Sequence, residues 1–191
     1  MPESARSSPT TITPDVFKSA FRHHAAGVAV ITADPGDGPF ALTASSVTSV
    51  SASPATLLFS VSTTTSTGRA IARADSAVVH LLDVEDHALA VRCADPTVDR
   101  FADPEAWERL HSGEPAFVGP RVLLRGEVVQ RIEYGEAVVI MLAVVEVIDR
   151  GPRGSSSGPD GGADGTAVAR PLAYHDRRWH ALGTHSELDG P

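Results

Sequence analysis

Two long runs in this chain suit a β-sheet and little else: RVLLRGEVVQRIE, residues 121–133, and EAVVIMLAVVEVID, residues 136–149. The first is partly alternating. The second is nearly all β-branched or aliphatic, the residues that pack well on a pleated surface. Only Tyr134-Gly135 separate them, which is enough for a tight hairpin turn. Two long antiparallel strands therefore form one wall of the fold, and the remaining elements are arranged around them.

Those elements can be read along the chain. Thr13-Pro14-Asp15 is a helix start, with a hydroxyl cap, a proline at the first helical position and an acid in the first turn. Phe17, Ala20, Phe21 and His24 fall on one face of that helix, and Gly27 is expected to end it. GVAVITA (27–33), a turn DPGDGP (34–39), ALTASSVTSVSASP (41–54) and LLFSVS (57–62) predict three consecutive strands in a meander. TSTGRAIARA (65–74) predicts a short helix capped by Ser66 or Thr67, and SAVVHLLD (76–83) a further strand. Residues 85–93 and 104–111 are expected to be helical, the second opening at Pro104 with Trp107 and Leu110 on one side. RPLAYHDRRWHALG (170–183) predicts a terminal hairpin turning at Asp176-Arg177. Short connections without βαβ alternation point to a mainly β (α+β) fold, closed or sandwich-like, with short helices around it.

Residues 13–183 are expected to form one domain. Residues 151–169, rich in Gly and Ser, cannot bury enough apolar area to order themselves and are read as a flexible loop within it. Residues 1–12 and 184–191 are read as disordered termini. Across 191 residues, 42% are hydrophobic and 21% charged, and no apolar run approaches the roughly 20 residues of a membrane helix. With a net charge of −8 and sixteen scattered Lys and Arg residues, the chain lacks the concentrated basic face that nucleic acid selects. The first residues show no secretory pattern, and a single Cys93 cannot form an internal disulfide, so a cytoplasmic setting is expected.

The usual signatures of chemistry are missing: no GxGxxG after a strand, no GxxxxGK[ST] and no HExxH. Cys93 lies among apolar helix neighbours and reads as a small buried hydrophobe, not a thiolate. The histidine pairs His23-His24 and His175/His180 lack metal-ligand spacing, and no metal site is expected. What stands out is Thr43-Ala44-Ser45-Ser46. Small side chains in a strand admit close approach of a flat ligand to the backbone, whose N–H groups and neighbouring hydroxyls can hold heterocycle edges and phosphate oxygens. The alternative is a solvated edge strand, with Leu42, Ala44, Val47 and Val50 covering the core.

The runs GVAVIT, ALTASSVTSVSASP and LLFSVSTTTSTGRAI together resemble the flavin reductase family with the FMN-binding split β-barrel, a Greek-key-like fold. Its members serve as reductase components of two-component flavin monooxygenases. The likeness starts at Phe21-Arg22 and Gly27-Val28 and centres on T-A-S-S-x-T-S-V-S-x-x-P at 43–54. It continues through Arg100-Phe101 and Gly113-Glu114-Pro115 and ends at Pro171-Leu172-Ala173-Tyr174-His175.

The resemblance implies a site for FMN or FAD. Thr43, Ala44, Ser45 and Ser46 would lie along the isoalloxazine and ribityl chain, Ser60 and Ser62 would border the ribityl and phosphate, and Ser66, Thr67 and Arg69 would hold the phosphate at a helix start, where free N–H groups favour an anion. It also implies a homodimer, in which Arg100, Phe101, Tyr174 and His175 complete the site. The implied reaction, hydride transfer from NADH or NADPH to flavin N5, is cofactor chemistry that requires positioning and no acid–base pair. No catalytic side chain is therefore assigned. Where many members carry Gly-Asp-His, this chain has Gly135-Glu136-Ala137. The missing histidine leaves His80, His175 or His180 as candidates on the nicotinamide side. Two readings stay open: a reductase that hands reduced flavin to a separate monooxygenase, and a flavin-binding protein of the same fold without NAD(P)H turnover. A cofactor-free β-barrel interaction module is a third, opposed by the phosphate-type helix start.

Overall fold

The computed structural model describes residues 12–151 and 170–187, and the expectations for 1–11, 152–169 and 188–191 lie outside them. Helix α1 (Pro14–Phe21) is capped by Thr13, whose hydroxyl accepts from the Val16 N–H at 3.4 Å. It ends at Phe21, well short of Gly27, because Ala26–Gly27 form strand β1 and give their backbone to the C-terminal hairpin, Ala26 opposite Tyr174 and Gly27 opposite Ala173. Val28 then separates β1 from β2 (Ala29–Ala33), so the expected strand over 27–33 is two.

There follow β3 (Phe40–Ala44), β4 (Thr48–Ala52), β5 (Ala55–Ser62), α2 (Ser66–Arg73), β6 (Ser76–Leu81) and α3 (His87–Ala94). The second half holds β7 (Trp107–Arg109), β8 (Pro115–Phe117), β9 (Val122–Tyr134), β10 (Ala137–Asp149), β11 (Leu172–His175) and β12 (Arg178–Ala181). Residues Thr184–Ser186, expected to belong to a disordered tail, form a 3-10 turn.

The hairpin of β9 and β10 is the wall that the sequence predicts, turning one residue later than expected, at Gly135-Glu136, with Gly135 at φ 58. Five further strands extend it into one sheet in the order β3-β2-β6-β9-β10-β5-β4. The meander is corrected here. ALTASSVTSVSASP is not one strand between two neighbours but two strands, β3 and β4, at opposite edges of the sheet. Laid flat, those edges would stand about 29 Å apart at the usual strand spacing. The chain joins them through Ser45, Ser46 and Val47 alone, a link that reaches at most about 14 Å. The sheet must therefore roll up, and it does so without pairing β3 to β4, leaving a barrel with a split in its wall.

Ile31, Phe59, Val79, Ile140 and Leu142 fill the interior of the barrel. A second cluster, including Val30, Leu82, Cys93, Phe117 and Leu172, packs outside it beneath α3 and the terminal hairpin. β2 touches both clusters and is buried along its whole length.

The helix expected over 104–111 is instead an irregular turn leading into β7, which pairs with β8. Local geometry explains the difference: Asp103 accepts the Glu105 N–H on its carboxylate and the Ala106 N–H on its carbonyl. The Trp107 indole donates to the Phe101 carbonyl at 3.2 Å while meeting the Phe101 ring edge-on. The apolar spacing of Trp107 and Leu110 marked two packing contacts, not a helical face.

Candidate functional site

The split places Thr43 to Ser46 at the point where the chain leaves one barrel edge for the other, and their side chains turn out to be employed internally. The Thr43 hydroxyl donates to the Ala90 carbonyl of α3 at 2.6 Å. Ala44 points the other way, into the barrel core. The Ser46 hydroxyl donates to the Ser60 carbonyl at 3.2 Å and accepts from the Ser60 N–H at 3.1 Å, clamping the split to β5. Only Ser45 is exposed. What this segment offers a ligand is backbone: among the described residues, the N–H groups of Ser45, Ser46 and Val47 have no partner.

Ser60 and Ser62 alternate with the buried Phe59 and Val61, so both sit on the outer face of β5. From there the polar row continues into α2. Its cap is Thr65, one residue ahead of the expected Ser66 or Thr67, with Oγ1 accepting from the Gly68 N–H at 3.0 Å. That leaves the Ser66 and Thr67 N–H groups, in the first turn, without a partner among the described residues. Glycine at 68 is dictated by packing, since a Cβ there would stand 1.9 Å from the Ser62 carbonyl oxygen. Arg69 reaches back to the Thr63 carbonyl at 2.9 Å, and Arg100 joins from the far side, donating to Thr67 Oγ1 at 3.2 Å and to the Asp95 carbonyl at 2.9 Å.

One outer face thus carries free amides at the split, then Ser60 and Ser62, then a helix start flanked by two guanidiniums. This donor set suits an elongated ligand with a planar, hydrogen-bonding ring at one end and a phosphate at the other.

The other candidates do not join that face within one chain. Phe101 stacks on Phe117, ring centres 5.3 Å apart, in the outer apolar cluster. Tyr174 packs edge-on against Trp179, and His175 lies beside His180 across the terminal turn. Between β11 and the split is an open pocket of about 170 Å³, lined by Gly27, Val47, Leu81, Leu82, Pro171 and Leu172 among others. Val47 is its link to the free amides. Neither this residue nor Thr65 is anticipated from composition. A hydroxyl three residues before Gly68 was the available signal for the cap; nothing local marks Val47, because its importance arises from barrel closure.

Comparison with known proteins gives the chain a family. Residues 21–183 match the model of the "Flavin reductase like domain". The chain belongs to that family. An NADH:FMN oxidoreductase of Rhodococcus qingshengii is 34% identical over 164 residues, covering 86% of this chain and 79% of that protein. The reductase component of a 4-nitrophenol 4-monooxygenase/4-nitrocatechol 2-monooxygenase from Rhodococcus opacus is 30% identical, covering 68% and 69%. The crystal structure of a flavin reductase domain protein from Arthrobacter sp. FB24 superposes with a TM-score of 0.77 at 29% identity, covering 93% of this chain and 99% of that one.

Within this flavin-reductase fold, two titratable groups can be set aside from chemistry. His80 is fully buried, with Nδ1 3.0 Å from the Val30 carbonyl and Nε2 accepting from the Phe117 N–H at 3.0 Å. Those partners fix it as the neutral tautomer protonated on Nδ1, and burial pushes its pKa down to about 4. It is a structural cross-link between β2, β6 and β8, not a nicotinamide-facing residue. Burial likewise pushes the Cys93 thiol up to about 12, so it is no nucleophile. Ala137, where many relatives were expected to carry a histidine, pairs with Ser62 on β5 and so borders the α2 end of the row. Among the described residues, no group of His, Cys, Asp or Glu could hold a metal ion, and no helix is long and apolar enough to cross a membrane.

Proposed function

We propose that the protein is an NAD(P)H-dependent flavin reductase that supplies reduced FMN or FAD to a separate monooxygenase. The carrying observation is the continuous row from the unpartnered amides of Ser45–Val47, past Ser60 and Ser62, to the open first turn of α2, in a chain of this family. Ser66, Thr67 and Arg69, with Arg100 behind them, would hold the flavin phosphate, and the amides at the split would meet the polar edge of the ring. Bound flavin supplies the N5 that accepts a hydride from C4 of the reduced nicotinamide. The chain itself would orient the two rings and exclude water, which accounts for a site with no acid–base pair.

The reading includes a homodimer and a cytoplasmic setting. Val50, Val129, Ile132, Val145 and Val147 stand exposed on strands of the barrel, a surface suited to a second copy, which would bring Phe101, Tyr174 and His175 toward the partner's flavin. A lone, buried Cys93 suits a reducing compartment.

The test is anaerobic stopped-flow mixing of flavin-loaded protein with NADH and with NADPH. Bleaching of the flavin band with either is expected; a band that persists with both removes the reductase reading and leaves flavin binding without turnover. Light scattering behind a sizing column tests the dimer.

A further inference from the structure

The polar row ends in a small, local stock of positive charge. At the start of α2 stand the free amides of Ser66 and Thr67 with two guanidiniums, Arg69 and Arg100. Arg69 donates to the Thr63 and Thr64 carbonyls, and Arg100 to Thr67 Oγ1 and to the Cys93 and Asp95 carbonyls. All of these acceptors are neutral, so both arginines keep their charge for a ligand.

Carboxylates stand on both sides of that charge. On one side the β9–β10 turn is fastened to the row, the Glu136 carbonyl accepting from the Thr63 N–H at 2.8 Å and from the Ser62 hydroxyl at 3.4 Å. The Glu136 side chain is exposed. On the other side a single guanidinium, that of Arg100, spans from Thr67 to Asp95 and sets the loop after α3 against the helix start. The Thr97 hydroxyl and N–H both donate to the Asp95 carboxylate and lower its pKa below the ordinary value. Asp99, also on this loop and exposed, accepts from the Phe101 N–H at 2.9 Å. Glu136, Asp95 and Asp99 form no ion pair among the described residues.

The two flavin nucleotides present their charge differently to such a surface. The phosphate of FMN is a monoester, with a charge of about −1.5 to −2 at pH 7 concentrated on its terminal oxygens. In FAD the same phosphorus is bonded onward through a bridging oxygen. It keeps part of that charge, and the rest lies further out, on the phosphate that leads to the adenosine. Placed on the α2 start, FMN sets all its charge against amides and guanidiniums, whereas FAD sends half of it out between Glu136 and the Asp95–Asp99 loop. Tyr134 is a group at this end that would favour the larger ligand. It lies opposite Ala137, on the face that carries Ser62, and is 87% exposed. Its ring offers a stack for an adenine but no cation for the second phosphate.

We infer that the carboxylates of Glu136, Asp95 and Asp99 make the site selective for FMN over FAD. The inference names the flavin of the reductase reading and rests on that reading for the position of the phosphate. Its test is calorimetric titration with FMN, FAD and riboflavin, in the absence of any nicotinamide, of the wild type and of Glu136→Gln/Asp99→Asn. Both changes keep the size of the side chain and an acceptor oxygen, so the Phe101 N–H retains its partner. The wild type should bind FMN at least about tenfold more tightly than FAD. In the variant FAD should gain about fivefold and FMN no more than about twofold, with riboflavin unchanged. Salt at about 0.5 M should narrow the wild-type ratio, because exposed charges are screened.

Equal wild-type affinities for FMN and FAD, or equal gains for both in the variant, overturn the inference, while bleaching of the flavin band by NADH or NADPH keeps the reductase reading. Selectivity for FMN that narrows in the variant, in a protein whose flavin neither nucleotide bleaches, keeps the inference and removes the reductase. FAD bound more tightly than FMN by the wild type also overturns it, and a loss of that preference in Tyr134→Ala would assign the adenine to the Tyr134 ring. Absence of binding by all three flavins removes both readings together.

Discussion

Two regions of the barrel put polar groups into strands, and they resolve them in opposite ways. Under β8, every polar atom with a visible role is paired inside the protein: His80 bridges Val30 and Phe117, and the Thr32 hydroxyl donates to the Pro115 carbonyl. At the split, the side chains of Thr43 and Ser46 are paired while the backbone beside them is not. A hydroxyl in a strand thus says little by itself about ligands. What sets the split apart is that pairing its side chains leaves neighbouring amides open.

The largest effect should come from the junction that holds the polar row together. Gly68→Val places a branched side chain where even a Cβ would stand 1.9 Å from the Ser62 carbonyl, and that atom is backbone, which cannot swing aside. We expect a loss of about 3 kcal/mol or more in a urea melt, together with loss of flavin binding. A variant of wild-type stability would show that α2 does not pack on β5 as described.

The paired region breaks next. His80→Leu strands the Val30 carbonyl and the Phe117 N–H in the interior, at a cost of about 2–4 kcal/mol. Acid probes the same contact without mutation. Burial holds the His80 pKa at about 4 in the folded chain, against the ordinary histidine value of 6.5, so the unfolded chain binds the extra proton first. Its contribution is complete above pH 6.5, is lost as pH falls toward 4, and amounts to something on the order of 3 kcal/mol. Glu114 follows: burial works to raise its pKa, but Arg125, Ser112 and Ser76 hold it at about 2, so its contribution fades between about 4.5 and 2. Denaturant midpoints measured from pH 7.5 to 4 should decline in the wild type and flatten over that range in His80→Leu.

At the split the effects are smaller and discriminate between neighbours. Ser46→Ala removes the clamp on Ser60 and should cost roughly 1–2 kcal/mol, with flavin affinity weakened as the segment loosens. Ser45→Ala, one residue earlier and exposed, should stay within about 0.5 kcal/mol and leave affinity unchanged. If Ser45→Ala were the damaging change in a flavin titration, its hydroxyl and not the backbone would be the group presented to the ligand.

Much of this fold was legible in the chain. The long hairpin, the Thr13-Pro14 helix start and the Asp176-Arg177 turn all follow from local pattern, and the structure places them within a residue or so. Two readings were not reachable that way. ALTASSVTSVSASP looks like one strand because nothing in its spacing marks the bend at Ser45–Val47; the break is imposed by the requirement that opposite sheet edges meet. Residues 104–111 have helical spacing, yet the Trp107 indole and the Asp103 turn override it through contacts with Phe101 and β8. The same limit applies to the candidate site. The resemblance to the family points to Ser60, Ser62 and Ser66, but which face they occupy, and which amides remain open beside them, depends on how the barrel closes.

The finest distinction concerns the far end of the polar row, where Arg69 has two possible roles. It donates to the Thr63 and Thr64 carbonyls, so it could simply brace the turn before α2, yet it also stands beside the free amides of Ser66 and Thr67. FMN and riboflavin share the ring and ribityl chain and differ only in the phosphate, so comparing their affinities isolates that end. If Arg69 serves the phosphate, Arg69→Ala should weaken FMN by up to about tenfold and leave riboflavin within about twofold. If it only braces the turn, both ligands weaken together, and the proposed phosphate contact would have to come from the Ser66 and Thr67 amides alone.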